Sequence, residues 1–543
     1  MQRKSVMLVL SLMLVLSTLL ASCGAAATPE SAAPTISTVS TPVPPTPVPA
    51  TEVPPTAAPK VLTIAVPTEP TQIDPINFSE SIAHSLILHT HNGLFKFDSD
   101  LNPVPDLAES AEVAADGVTW TIKLKQGIKF HDGTPFTADA VKYVVDWVLS
   151  DNPPIRAAYA GRNDLDSATV IDDYTVQIKT KKPLGAFLQM LASPAWYINS
   201  PAAYEKYGDQ ASLHPVGTGP YKFVEWNPGE DIVLERNTDY FGQQPYYDKL
   251  IWRFVLEPTT RVTLLETGEV DVVVNVPASE MSRLEDNANL VVEPVMLGRM
   301  IYIAIHCQRP YLDDVRVRQA LNYAVDKEAI VKGILQGLGR VADSPIPSLT
   351  WGYSPVGEYP YDPDKARQLL ADAGVPEDFT IKLWVPEGRY FQDKEVGEAV
   401  ANYLGEVGLN VDFQVFEWGA YLSSIRKPIE EAEHDLYLLG WSSDTLDADH
   451  ALSGVLDSAQ WPLAGANRGF YKNETVDAML EEARTSVDPA QRMAMYADIS
   501  KMIWDDAPWI FLHEMETVIA YRKGITGIWM QPAEPLDLTG ARE

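Results

Sequence analysis

Apolar positions change their spacing along the chain. Val61 to Val66 is a nearly unbroken apolar run, predicted as a buried strand that starts the folded part. Strand signals then dominate to about residue 130. Thr119 to Lys125 alternates strictly, with turn signals at Gly127 and His131-Asp132-Gly133. Thr137 is the expected N-cap of a helix whose Ala140, Val141, Val144, Val145 and Val148 share one face. Thr169 to Thr180 alternates again, and Tyr221 to Trp226, Asp231 to Arg236 and Lys249 to Leu256 carry further strand signals.

From about residue 300, strands alternate with capped helices. Asp313 is expected to begin a helix through Ala320, Leu321 and Ala324, and Asp326 to cap its successor. Asp362-Pro363 puts proline at a first helical position, and Gly374 supplies the stop. Helical spacing returns from Lys394 to Val407, and Asp488-Pro489 opens a helix ending before Pro508. Leu409 to Phe416, Leu436 to Gly440 and Trp509 to Tyr521 are predicted strands. The order implies an α/β plus α+β assembly in which the first and last strands share a domain. No internal repeat is present.

The first sixty residues differ from the rest. Arg3 and Lys4 precede fifteen uncharged residues, Val6 to Leu20, the length of a signal-peptide core rather than a membrane span. Leu20-Ala21-Ser22-Cys23 followed by Gly24 has the pattern of a bacterial lipobox, which makes Cys23 the expected site of lipidation. Several acyl chains on one cysteine anchor durably, at roughly 0.8 kcal/mol per buried methylene. Gly24 to Pro59 holds ten Pro and seven Thr, the composition of an extended stalk.

Charge narrows the partners. A net charge of −32 over 543 residues repels nucleic acid and anionic lipid surfaces. Two cysteines exclude a disulfide-stapled scaffold, and Cys307 is expected to be a buried small hydrophobe. Length alone allows about three or four domains.

Catalytic patterns are missing. His84, His89 and His91 are the one histidine cluster, without the spacing of a helical zinc site. Gly440-Trp441-Ser442-Ser443-Asp444 lacks the final glycine of a nucleophile elbow. Gly217-Thr218-Gly219 runs into Pro220 and a strand, so no helix terminus follows to hold a phosphate. No enzyme activity, cofactor or metal is expected.

Three stretches carry a family resemblance. The first runs from Leu107 to Val141 and includes Thr119-Trp120-Thr121-Ile122-Lys123-Leu124 and Phe130-His131-Asp132-Gly133-Thr134-Pro135-Phe136. The second is Pro215-Val216-Gly217-Thr218-Gly219-Pro220-Tyr221-Lys222 with Leu234-Glu235-Arg236-Asn237 and Asp239-Tyr240-Phe241-Gly242. The third is Leu312-Asp313-Asp314-Val315-Arg316-Val317-Arg318-Gln319-Ala320-Leu321-Asn322-Tyr323-Ala324. Together they resemble the extracytoplasmic solute-binding proteins of family 5, the dipeptide-, oligopeptide- and nickel-binding group that feeds ABC importers.

That resemblance implies an α/β, two-lobed periplasmic-binding-protein-like fold (cluster C type) with a hinge and an extra inserted domain. Residues 1–22 would be the lipoprotein signal peptide and 23–59 the lipidated cysteine and stalk. Residues 60–91, 212–293 and 505–543 would form lobe I, 92–211 its inserted domain and 294–504 lobe II. The implied function is capture of short peptides, or a related small solute, and delivery to ABC permease subunits by a monomer tethered through Cys23 on the outer face of a membrane. By the same resemblance Asp444, in Trp441-Ser442-Ser443-Asp444, would pair with a ligand ammonium, its alternative being a loop or cap carboxylate. Asp447 and Asp449 are expected to be ordinary exposed acids. Arg389 could receive a ligand carboxylate as a fork, and Trp441 and Trp418 could wall the pocket. His450 invites a metal reading only through the nickel-binding relatives. Nickel-chelate, haem, glycan or opine binding by the same fold stays open, as do an anchored extracellular hydrolase and a sensor or adhesin.

Overall fold

The computed structural model describes residues 58–543, apart from residue 79 and residues 155–160. The expected signal segment, Cys23 and the stalk lie outside the described residues. Strand Val61–Val66 pairs in parallel with Lys249–Phe254 on one side and Val272–Val273 on the other. Both of its faces are covered, so Leu62, Ile64, Ala65 and Val66 are all buried; a doubly covered parallel strand needs no alternation.

These strands belong to one sheet of eleven. At one end Asn410–Phe416, Thr380–Pro386 and Leu436–Ser442 lie side by side and parallel. At the other are Val61–Val66, Lys249–Phe254, Asp231–Arg236 and Tyr221–Asn227. Two long antiparallel neighbours, Leu290–Ile305 and Trp509–Arg522, run through the middle and join the two ends. Their register shifts between Met296 and Met300, where Leu297, Gly298 and Arg299 make a detour opposite Met515. The first strand and the last one the sequence predicts, Val61–Val66 and Trp509–Arg522, thus share a sheet, with Val272–Val273 between them, while the later Trp529–Met530 and Leu536–Asp537 pair apart from it.

The strictly alternating segment sits elsewhere. Ala108–Val113, Thr119–Leu124, Thr175–Thr180 and Leu165–Asp172 form a separate antiparallel sheet. In Thr119–Leu124 the even positions Trp120, Ile122 and Leu124 are buried while Lys123 is exposed. They face helix Ala138–Leu149 and Phe187, whose ring stacks on Trp120 at 4.5 Å.

Helix starts follow local chemistry. Asp326, Asp362 and Asp488 each accept a backbone N–H from the first turn of the helix they precede. Gly374, just beyond helix Pro363–Asp372, takes a left-handed φ of 73°. Helix Val315–Ala324 begins one residue later than Asp313 predicts, because Asp314 is the residue whose carboxylate accepts from Arg316 N–H. Thr137 does precede helix Ala138–Leu149, but its hydroxyl makes no capping bond. Gly219 is packed so tightly against the His89–His91 backbone that an added Cβ would stand 2.4 Å from the Thr90 carbonyl carbon. Cys307 is buried, and burial pushes its thiol up to about 11.

Candidate functional site

The three parallel strands at one end of the sheet finish on the same edge, where ligands of open parallel sheets gather. Each strand hands over to a loop bearing one of the predicted residues. Thr380–Pro386 leads to Arg389, Asn410–Phe416 to Trp418, and Leu436–Ser442 ends in Trp441 and continues to Asp444. Buried Asp393 pins the first loop by accepting the N–H groups of Gly388 at 3.0 Å, Arg389 at 2.8 Å and Tyr390 at 3.0 Å. Glu417 caps helix Trp418–Ile425 and fixes the second loop. In the third, the Ser443 hydroxyl donates to the Asp447 carbonyl at 3.1 Å.

Arg389 is exposed, with its guanidinium carbon 5.3 Å from the Trp418 ring centre and 5.1 Å from that of Tyr390. The Tyr390 hydroxyl donates to the Gly440 carbonyl at 3.3 Å, beside Trp441. Trp441 is half-buried, its ring 5.7 Å from His450 and its indole edge so near Gly454 that a Cβ there would come within 3.0 Å. Asp444 is half-buried in the turn that follows. The fold therefore brings Arg389 and Trp418 into contact and connects them through Tyr390 to the strand that carries Trp441.

Arg389 and Trp441 border different cavities. One, of about 360 Å³, has Trp441, Asp449, His450 and Arg484 on one side and Asp164 and Met190 on the other. Arg484 lies 3.1 Å from Asp164 and 3.6 Å from Asp449. Burial raises the Asp164 carboxyl above its ordinary range despite this guanidinium. The second, of about 250 Å³, is bordered by Arg389, Glu534 and Ser81, by Thr68, Ser85, Asn275 and Thr517, and by apolar side chains. Glu534 pairs with Arg299 at 2.8 Å and accepts the Ser81 hydroxyl at 2.7 Å. Burial works to raise this carboxyl, but Arg299, Ser81 and the neighbouring Arg389 overcome it and hold it below the usual range.

Two expectations are corrected. Asp447 and Asp449 are buried, at 0% and 6% exposure, not exposed acids. Asp447 is held by Arg492 and caps helix Ala448–Leu456; Asp449 accepts the Ser453 hydroxyl at 2.9 Å and borders the larger cavity. Arg299, Arg484 and Glu534 escaped the sequence reading, since none stands in a local pattern. Among the described residues no group of three His, Cys, Asp or Glu is placed to hold a metal ion. His89 lies 2.6 Å from the Ser85 carbonyl through Nδ1 and accepts Leu538 N–H at 3.0 Å through Nε2, so both ring nitrogens serve packing.

Comparison with known proteins places this architecture. Residues 102–462 match the profile described as bacterial extracellular solute-binding proteins, family 5 middle. The glutathione-binding protein GsiB of Pectobacterium atrosepticum is 37% identical over 478 residues, covering 87% of this chain and 92% of its own. HbpA2 from Haemophilus parasuis superimposes with a TM-score of 0.81 at 25% identity, over 89% of this chain and 99% of that one. The ABC transporter-associated periplasmic binding protein DppA from Helicobacter pylori, solved with peptide STSA, gives 0.73 at 26% identity over 88% and 96%. The fold is the mixed α/β fold of periplasmic binding proteins, and no helix among the described residues is long and apolar enough to cross a membrane. The chain belongs to the family 5 bacterial extracellular solute-binding proteins.

Proposed function

We propose that this protein captures short peptides between two closing lobes and delivers them, chemically unchanged, to an ABC permease. The observation that carries this reading is the gathering of Arg389, Trp418 and the Trp441–Asp444 turn on one edge of three parallel strands. Arg389 offers a planar fork to the peptide carboxylate, and its stacking on Trp418 limits the rotamers that binding must freeze. Asp444 offers a carboxylate to the α-ammonium, and Trp441 and Trp418 supply the walls. GsiB is named for glutathione and DppA was solved with a peptide, which supports a short peptide as cargo here.

Lobe I then comprises residues 60–91, 212–293 and 505–543, with 92–211 inserted in it and 294–504 as lobe II. Ligand contacts made only in the closed state shift the population toward it. Cys23 and the stalk would hold the body off the membrane within reach of the permease.

Calorimetric titration with dipeptides, tripeptides and glutathione tests the reading, with mass spectrometry of the recovered ligand. Saturable binding of intact peptide is expected. Asp444→Ala should weaken free-amine peptides far more than their N-acetylated forms, because it removes a charge partner. Cleaved ligand, or no binding across the panel, overturns the proposal.

A further inference from the structure

The 250 Å³ cavity beside Arg389 has Ile82, Trp252, Leu297, Met515, Met530 and Leu536 along its walls, with the polar side chains of Thr68, Ser85, Asn275 and Thr517 between them. An apolar cavity of about 150 Å³ already accommodates benzene, so this one has room for a large side chain. Trp252 is fully buried, and its indole N–H has no hydrogen-bond partner among the described residues. A buried donor without an acceptor is costly, and here it stands at the wall of an open space.

At the cavity's border the charges are unequally committed. The Glu534 carboxylate is already neutralised by Arg299 and hydrogen-bonded by Ser81. Arg389 has ring faces on its flanks and acts on Glu534 only at longer range, with no ion pair within 4 Å among the described residues. A ligand carboxylate seated on Arg389 therefore brings the residue that carries it to this opening.

Resting on the peptide reading above, we propose that this cavity is the side-chain pocket for the ligand's carboxyl-terminal residue, and that it selects uncharged apolar side chains of the size of Leu, Met or Phe. Glycine leaves it empty. An acidic side chain meets the Glu534 carboxylate and loses hydration against the apolar part of the wall. The thioethers of Met515 and Met530 let the walls adapt to different apolar shapes. A ligand atom with a lone pair, such as a methionine sulfur, also offers the Trp252 N–H a partner.

The test is calorimetric titration of the full chain with Ala-Gly, Ala-Leu, Ala-Met and Ala-Glu, repeated on Met530→Trp, which fills the cavity. Ala-Leu and Ala-Met are expected to bind about 10- to 100-fold more tightly than Ala-Gly, with Ala-Glu no tighter than Ala-Gly. The Leu-to-Gly ratio should collapse toward unity in Met530→Trp; the ligand series on the unaltered chain decides the matter if that variant does not fold. Equal affinities across the four dipeptides overturn the pocket and leave the peptide reading standing. Failure of all four, together with glutathione and longer peptides, overturns the peptide reading itself.

Discussion

Arg492 and Asp447 meet in a doubly hydrogen-bonded ion pair, at 3.1 and 2.7 Å, with side chains 2% and 0% exposed. The guanidinium also lies 4.6 Å from the Trp351 ring centre. Asp447 caps helix Ala448–Leu456 and so fixes the turn that carries Asp444. Removing one partner strands the other charge in the core. Arg492→Met is expected to cost about 3–5 kcal/mol of stability, whereas Arg492→Met combined with Asp447→Leu recovers most of it. Urea denaturation of the three proteins measures the difference, and a single-variant loss below about 1 kcal/mol would contradict it.

Six histidines whose burial disfavours their charge, His89 and His131 with the four that follow, make the protein sensitive to mild acid. Burial takes His91 and His306 down to about 3, and His434 and His513 to about 4. The His434 ring, 5.8 Å from that of His306, disfavours the charge of His306 further. In the unfolded chain such groups take protons near pH 6.5. The unfolded state thus holds more protons between about pH 6.5 and 4, and stability, complete above that window, falls as pH drops through it. Each histidine contributes about 1.4 kcal/mol per pH unit. Urea midpoints at pH 7 and pH 5 should show the fall, and His513→Gln should flatten it by one such increment.

Arg389 should discriminate by ligand terminus. Arg389→Ala is expected to weaken peptides with a free carboxylate about 10- to 100-fold, the range of a charged hydrogen bond. Peptide amides should change little. Arg389→Lys keeps the charge but loses the planar fork, so it should fall between. Equal losses for acids and amides in calorimetry would remove Arg389 from the carboxylate site.

Gly185 marks a close approach between distant segments. Its N–H donates to the Arg484 carbonyl at 2.9 Å, and an added Cβ would stand 2.2 Å from the Ser486 carbonyl oxygen. Neither backbone can yield cheaply. Gly185→Ala is expected to separate them, raising hydrogen exchange at Gly185 and over residues 481–486. Unchanged protection there would show that the contact tolerates a side chain.

What the sequence revealed was what neighbours in the chain decide. Asp362-Pro363 and Asp488-Pro489 locate helices because a cap and its first turn are adjacent. Leu290–Ile305 stayed hidden behind Pro294 and Gly298. Pro294 is tolerated because Leu436–Ser442 pairs with this strand only from Arg299 onward, leaving Pro294 a partner on one side alone. The site divides similarly. Arg389, Trp441 and Asp444 stand in recognisable stretches, whereas the Arg299–Glu534 pair spans 235 positions. Asp447 was misjudged because burial of an acid depends on its partner, 45 residues away.

Two neighbouring strands passing unbroken between the ends of a sheet behave as a leaf spring. From Leu290 to Met296 the ladder holds register and resists sliding, and beyond the detour it slips once more, between Ile301 and Tyr302. At the detour itself fewer cross-strand bonds oppose flexing out of the sheet plane. Flexing is therefore easiest at this detour, where Arg299 holds Glu534 at 2.8 Å. Arg389 acts electrostatically on the same Glu534, which ties the proposed carboxylate site to this weak point of the ladder.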